Sequence, residues 1–184
     1  MIISIGGVPG SGKSTVAKLL AEELNYDQHN IGGIRREMAQ KKGMTLEEYN
    51  KFGERDDSTD KDVDDYQIKL GKTKDNFVIE GRMSWKFIPN SIKVYLDCDI
   101  KIAAKRLYQD SINNPQRKNE AKINSEKDAL DSIKKRMDSD SKRYIDYYGV
   151  DSYDKTNFDL VIDTTKKGPY DVVKEILEYV NKNS

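Results

Sequence analysis

The apolar positions of this chain fall into short runs that switch between the period of a strand and the period of a helix. Ile2, Ile3 and Ile5 make the first run and read as a short buried strand, and Val16, Leu19, Leu20 and Leu24 follow at helical spacing. Phe77-Val78-Ile79-Glu80 and Ile92-Lys93-Val94-Tyr95-Leu96-Asp97 predict two more strands, each ending in a carboxylate, and Phe158-Asp159-Leu160-Val161-Ile162 predicts the last. Between these, Ile100–Tyr108 reads as a helix with Lys105 and Arg106 towards its C-terminal end, and a long helix starts at about Ala129. Pro169 falls near the N1 position of a final helix whose core face is Val172, Val173, Ile176, Leu177 and Val180. Strands alternating with helices imply an α/β fold, three layers deep, with helices on both faces of a parallel sheet.

Two polar stretches interrupt the alternation. Asn25-Tyr26-Asp27-Gln28-His29 is a short polar connection or a weak strand, and Gly32 and Gly33 then open a helix carrying Arg35 and Arg36. Thr45-Leu46-Glu47-Glu48 is a capping box and starts a short helix. Residues 53–62 read as a charged loop, and Val63, Tyr66 and Leu70 mark a helix ending near Gly71. Residues 109–128 contain almost nothing apolar and read as loop or lid. There is no internal repeat. The span 1–184 is therefore expected to be one domain with two mobile excursions, at about 30–72 and about 107–150.

Composition narrows the possibilities. Thirty-two basic residues balance 32 acidic ones, so no overall basic field points to nucleic acid as a partner. Cys98 is the single cysteine, which excludes an intramolecular disulfide and suits a reducing cytoplasm; behind an apolar strand it reads as inert packing. No apolar run is long enough to span a bilayer, and the apolar residues at the N-terminus belong to the first strand rather than to a signal peptide. With no exposed apolar run suited to an interface, a monomer is the expectation.

The chemistry concentrates where the first strand ends. Gly7-Val8-Pro9-Gly10-Ser11-Gly12-Lys13-Ser14 fits G-x-x-x-x-G-K-[ST], between a strand and a helix, as a P-loop NTPase fold requires. Its glycines let the backbone approach an anion, and successive N–H groups at the positive end of a helix make a phosphate nest. Lys13 can reach β- and γ-phosphates of ATP, and the Ser14 hydroxyl can ligate Mg²⁺. Ligands of open α/β sheets bind at the carboxyl ends of strands. Glu80 is there the favoured carboxylate for the Mg²⁺ water shell, with Gly81-Arg82 beside it, whereas Asp97 reads as an N-cap of the following helix. An arginine in the first turns of a helix sits poorly with the dipole, so Arg35 and Arg36 are either a solvated face or serve an anion. Arg136, Asp140 and Arg143 share one face of the long helix, as an exposed ion-pair stripe or as a phosphate clamp. His29, the only histidine, has no clustered ligands and reads as a surface or loop residue. The guanine-reading N-K-x-D motif of GTPases is missing, and a motor ATPase needs more chain. A small P-loop domain with two excursions suits a phosphotransferase that closes over its substrates.

Taken together, the IGGVPGSGKSTVAKLLAEEL start, Gly32…Arg36-Glu37-Met38-Ala39, Gly43-Met44-Thr45-Leu46-Glu47-Glu48, Val78-Ile79-Glu80-Gly81-Arg82, Leu96-Asp97, Arg106, Lys142-Arg143-Tyr144 … Tyr148-Gly149-Val150-Asp151 and Asp159-Leu160-Val161-Ile162-Asp163-Thr164 resemble the archaeal-type cytidylate kinases of the nucleoside monophosphate kinase superfamily. The resemblance covers nearly the whole chain. It implies transfer of a phosphoryl group from ATP to CMP, with dCMP as a second acceptor and Mg²⁺ as cofactor. It implies that Gly7 to Thr15, including Val8, Pro9, Gly10, Ser11, Gly12, Lys13 and Ser14, hold the ATP phosphates, and that Arg106 sits by the donor nucleotide. Gly32, Arg36 and Arg82 would hold the acceptor phosphate, Arg136 and Arg143 would span donor and acceptor, and Asp140 would orient them or touch the acceptor sugar. Asp64 or Gln67 would read the cytosine edge. The chain departs from the family at Asn30, where serine is usual, at Gly33, where an acidic residue is common, and in the length of 109–128. Met83 replaces the acidic residue that bacterial-type enzymes carry after the glycine-arginine pair. A UMP or AMP kinase, another small-molecule kinase, or a nucleotide-binding regulatory protein without phosphotransfer are the alternatives.

Overall fold

The computed structural model describes residues 1–113 and 123–183. Five strands are formed by β1 (Ile2–Gly7), β2 (Asp27–Asn30), β3 (Phe77–Glu80), β4 (Ile92–Asp97) and β5 (Leu160–Asp163). They make one parallel sheet in the order β2-β3-β1-β4-β5. All six residues of β1 are buried, as the central strand of a parallel sheet covered on both faces must be. Pairing of Ile5 with Glu80, of Gly7 with Leu96 and of Asn30 with Glu80 brings the carboxyl ends of four strands to one edge. The chain turns away from β1 towards β2 at that edge and later crosses to the β4 side. Such a crossover point is where open α/β sheets hold ligands.

One face of the sheet carries α1 (Lys13–Leu24) and α8 (Pro169–Asn183), whose Val16, Leu20, Val172 and Ile176 pack on Ile3, Ile5, Val94 and Leu96. The opposite face carries α6 (Ile100–Asn113) and α7 (Glu126–Tyr148), with Leu107, Ala129 and Ile133 against Tyr95. Each such aliphatic side chain contributes ~1.5–3 kcal/mol by leaving water. Beside them, α2 (Ile31–Lys41), α3 (Leu46–Gly53) and α4 (Ser58–Thr73) connect β2 to β3. Ile31, Val63 and Leu70 of this segment reach Phe77, Ile79 and Ile88, the last of which follows α5 (Ser84–Phe87).

Four local expectations change. The weak strand is β2, and His29 lies within it rather than in a loop. It is half-buried, its Nδ1 is 2.9 Å from the Tyr66 hydroxyl, and its ring stands edge-on to Phe77. Burial, helped by Lys74, lowers its pKa. The charged loop is confined to 54–57, because α4 already begins at Ser58. The capping residue of α6 is Asp99, whose carboxylate accepts from the N–H groups of Lys101 and Ile102, while Asp97 pairs with Lys155 at 2.5 Å. The polar run 109–128 is helical up to Asn113, its residues 114–122 lie outside the described residues, and α7 starts at Glu126 with Ser125 as N-cap. The capping box at Thr45 is present, each member accepting from the backbone N–H of the other.

Candidate active site

The loop after β1 is shaped by its glycines. Gly7, Gly10 and Gly12 take φ values of +131°, +81° and +91°. A Cβ on Gly10 would stand 2.5 Å from the Ala103 carbonyl oxygen, so a glycine there lets the loop seat directly on α6. Gly12 then starts α1, leaving the first N–H groups of that helix facing the loop. Lys13 folds back over the loop and donates to the carbonyls of Gly7 at 3.0 Å and Val8 at 2.7 Å. Burial is the main cause that depresses its pKa, with Arg82 second and Glu80 opposing.

Ser14 donates from its hydroxyl to Glu80 Oε2 at 2.9 Å. The other carboxylate oxygen, Oε1, is buried without a hydrogen-bond partner. Burial pushes the Glu80 pKa up, against the pull of Ser14, Lys13 and nearby arginines. A hydroxyl beside a half-satisfied carboxylate, both hard oxygen donors, fits a hydrated Mg²⁺, which takes one or two protein oxygens and completes its shell with water and phosphate.

A cleft of about 440 Å³ opens over this loop. Arg36 from α2, Arg82 after β3, Arg106 from α6 and Arg136 from α7 all line it. Four guanidinium groups from four separate elements, above a phosphate-binding loop, form a site for a polyanion.

The sequence model of the Cytidylate kinase-like family matches residues 2–166. This chain belongs to that family. Relatives named cytidylate kinase include one from Sulfurisphaera tokodaii, 38% identical over 98% of this chain and 96% of its own length. Others are from Methanobrevibacter smithii, 35% identical over 96% of both chains, and from Methanocaldococcus jannaschii, 35% identical over 99% of this chain and 100% of its own. Among solved structures, an uncharacterized protein from Eubacterium ventriosum aligns with a TM-score of 0.72 at 23% identity over 98% of both chains. A shikimate kinase from Acinetobacter baumannii aligns at 0.60 and 19% over 100% of this chain and 94% of its own. These likenesses reflect the shared P-loop kinase fold.

Within this cytidylate kinase-like architecture, the residues singled out from sequence separate into two groups. Pro9, Gly10, Ser11, Gly12, Lys13, Ser14, Thr15, Gly32, Arg36, Glu80, Arg82, Arg106 and Arg136 line the cleft. Gly7 and Val8 hold Lys13 from beneath. Asp140, Arg143, Asp64 and Gln67 are buried behind the cleft wall. Asp140 pairs with Arg82, accepts from Arg143 at 2.7 Å, and accepts from the Tyr153 hydroxyl at 2.9 Å. Tyr153 also accepts from Arg82 Nε at 3.0 Å. Burial would raise the Asp140 pKa, but Arg82, Arg143 and Arg136 hold its carboxyl below the usual range. Asp64 accepts from the Tyr148 hydroxyl, and Gln67 accepts from Ser84 at 2.7 Å. Burial raises the Asp64 pKa to about 7.

Arg106 donates to the carbonyl of Thr164 at 2.8 Å, fixing α6 to the loop after β5, and lies 3.5 Å from the buried sulfur of Cys98. Asn30 has a local reason for its place, since its side chain caps α2 by accepting from Gly33 N–H at 2.6 Å.

Sequence reasoning missed several members. Thr164, at the end of the Asp159–Thr164 segment that carries the resemblance but given no role there, and Lys167 both line the cleft. Tyr153 sits in the segment between α7 and β5, where spacing carries no signal. Arg35, which with Arg36 reads as either a solvated face or an anion ligand, is instead 8% exposed and bonds to Asn50 at 2.8 Å and Asp60 at 2.7 Å. The helical step of about 100° per residue supplies the missing signal. Neighbouring arginines cannot share a face, so if Arg36 serves the cleft, Arg35 must turn away from it.

Proposed function

We propose that this chain is a cytidylate kinase that transfers the γ-phosphoryl group of ATP to CMP, giving ADP and CDP, with dCMP as a second acceptor. The carrying observation is the convergence of Arg36, Arg82 and Arg136 on the phosphate loop, in a chain matched end to end by relatives of that name. Residues Gly7–Thr15 would cradle the ATP phosphates, with Arg106 beside the donor. Gly32, Arg36 and Arg82 would grip the acceptor phosphate. Asp140 orients Arg82, and Arg143 supports the same wall from behind. The buried polar group of Asp64, Gln67, Ser84 and Tyr148 is our candidate reader of the cytosine edge.

An oxygen of the acceptor phosphate attacks the γ-phosphorus in line while the bond to the β-phosphate oxygen breaks. A phosphate monoester dianion is already nucleophilic, so no general base is required. Lys13 and the arginines stabilise charge on the transferring oxygens and hold both substrates in attacking geometry. Mg²⁺ held by Ser14 and Glu80 would supply further neutralisation at the β- and γ-phosphates. Residues 31–73 and 126–148, which carry Arg36 and Arg136, would close over the substrates and exclude water.

The test is ADP release from Mg·ATP with CMP, dCMP, UMP, AMP, GMP or no acceptor. Release that depends on CMP or dCMP and hardly on purines is expected. Release with UMP or AMP preferred, or none with any of them, overturns the assignment.

A further inference from the structure

A line of alternating charges runs behind the cleft. It starts at Arg82, which lines the cleft and pairs with Asp140 of α7. Asp140 pairs with Arg143 at 2.7 Å. Arg143, 1% exposed, approaches Asp60 of α4, with Nε 3.6 Å from Oδ2. Asp60, 2% exposed, takes Arg35 of α2 on Oδ1 at 2.7 Å. The next residue along α2 is Arg36, back at the cleft. Thr59 completes the junction by donating to Asp60 Oδ2 at 3.2 Å.

Asp60 therefore receives guanidinium groups from two helices, each of which carries a cleft arginine elsewhere. Arg143 lies seven residues beyond Arg136 on one face of α7, so the seating of Arg143 sets the roll of that helix and the aim of Arg136. Arg35 does the same for Arg36. Arg35 and Arg143 pack round Gly53, whose missing Cβ would stand 3.3 Å from an atom of each. Arg35 Nη2 and Arg143 Nε and Nη1 are buried without hydrogen-bond partners, so at Arg143 the Asp60 carboxylate acts as a counter-charge rather than as a hydrogen-bond acceptor. A buried charge pair broken on one side leaves an uncompensated ion, far costlier than losing a surface pair. Other ties join 31–73 to α7: the Tyr148 hydroxyl donates to Asp64, the Tyr147 hydroxyl to the Gly53 carbonyl at 2.5 Å and Ser139 to Glu54 at 2.9 Å, with exposed Lys142 and Lys135 on Glu54 and Glu47; none of these pairs two buried charges.

We infer that Asp60 is a positioning residue for the acceptor, locking α2 to α7 so that Arg36 and Arg136 aim at the same phosphate. The inference rests on the kinase reading above and assigns Asp60 no contact with substrate. The loop after β1 and Arg106, which carry most of the donor site, make no bond to Asp60 or to its partners Arg35 and Arg143.

The experiment is steady-state kinetics on the full chain, varying CMP at saturating ATP and then ATP at saturating CMP. Asp60→Asn is expected to raise KM for CMP about ten-fold or more and to leave KM for ATP within about two-fold. Asp62→Asn, exposed on the same helix, should change neither. Should Asp60→Asn fail to melt cooperatively, Thr59→Val serves instead; it removes one hydrogen bond to Asp60 and should give the same split at about two- to three-fold. An equal rise in both KM values, or no rise in a folded variant, overturns the inference. Wild-type protein that does not turn over CMP overturns the underlying reading instead, before any variant is compared.

Discussion

Lys13 sits between two tasks at the scale of single residues. Its ammonium closes the phosphate loop through the carbonyls of Gly7 and Val8 and faces Glu80 and Arg82 across the cleft. Bound phosphates would compete for the same three donor protons. Lys13→Ala should therefore lower kcat/KM by about 100- to 1,000-fold, the range for loss of one preorganised charge donor. The thermal midpoint should stay within a few degrees, because the core beneath the loop is aliphatic and intact. Near-native turnover in the folded variant counts against the mechanism. The motif itself was legible from the sequence because glycine spacing and the lysine are local. Ser14 and Glu80 were each legible as residues of the ligand-binding edge, Glu80 because it ends a strand beside Gly81-Arg82, but their direct pairing at 2.9 Å was not. Arg35 and Tyr153 were not, because their roles depend on partners 25 and 71 residues away.

Helix α4 is the clearest case of an element that the hydrophobic pattern cannot delimit. Its buried side includes Thr59, Asp60, Asp64 and Gln67 as well as Val63 and Leu70. A polar inner face gives no apolar period, so the first turn of the helix reads as charged loop. By contrast α8 buries Val172, Val173, Ile176 and Val180 and is recognisable on sight. The polar inner face also has a measurable signature. Asp64 is lifted by burial from its ordinary 3.8 to about 7. Between those limits the folded chain keeps a proton that the unfolded chain has released. The stabilisation is complete below about pH 4 and is lost as the pH rises towards 7. Melting curves from pH 5 to pH 7.5 should thus show the wild-type midpoint falling relative to that of Asp64→Asn, whose amide cannot ionise. Parallel profiles for the two proteins exclude an elevated Asp64.

The whole molecule divides by what its packing is made of. The sheet with α1 and α8 is held by aliphatic contacts, while 31–73 meets α7 largely through charges and hydroxyls. Polar junctions of that kind belong to the readily opened part of a protein. Amide exchange should therefore be slow in β1 and α8 with or without nucleotides. Exchange in 31–73 and 126–148 should slow when CMP and a non-hydrolysable ATP analogue are added together. Equal protection throughout the chain would argue against closure of these two segments.

The charge line from Arg35 to Arg82 has a further consequence once its signs are counted. Three guanidinium groups alternate with two carboxylates, so the row begins and ends on a cation and is left with an excess of one positive charge. The end that meets the cleft is Arg82. An acceptor phosphate bound there would be the next anion of the series, extending a lattice that the protein leaves one ion short. Cytidine, which has the base and the sugar but no phosphate, would leave that row unfinished, and the enzyme should discriminate against it by charge before the base is ever read.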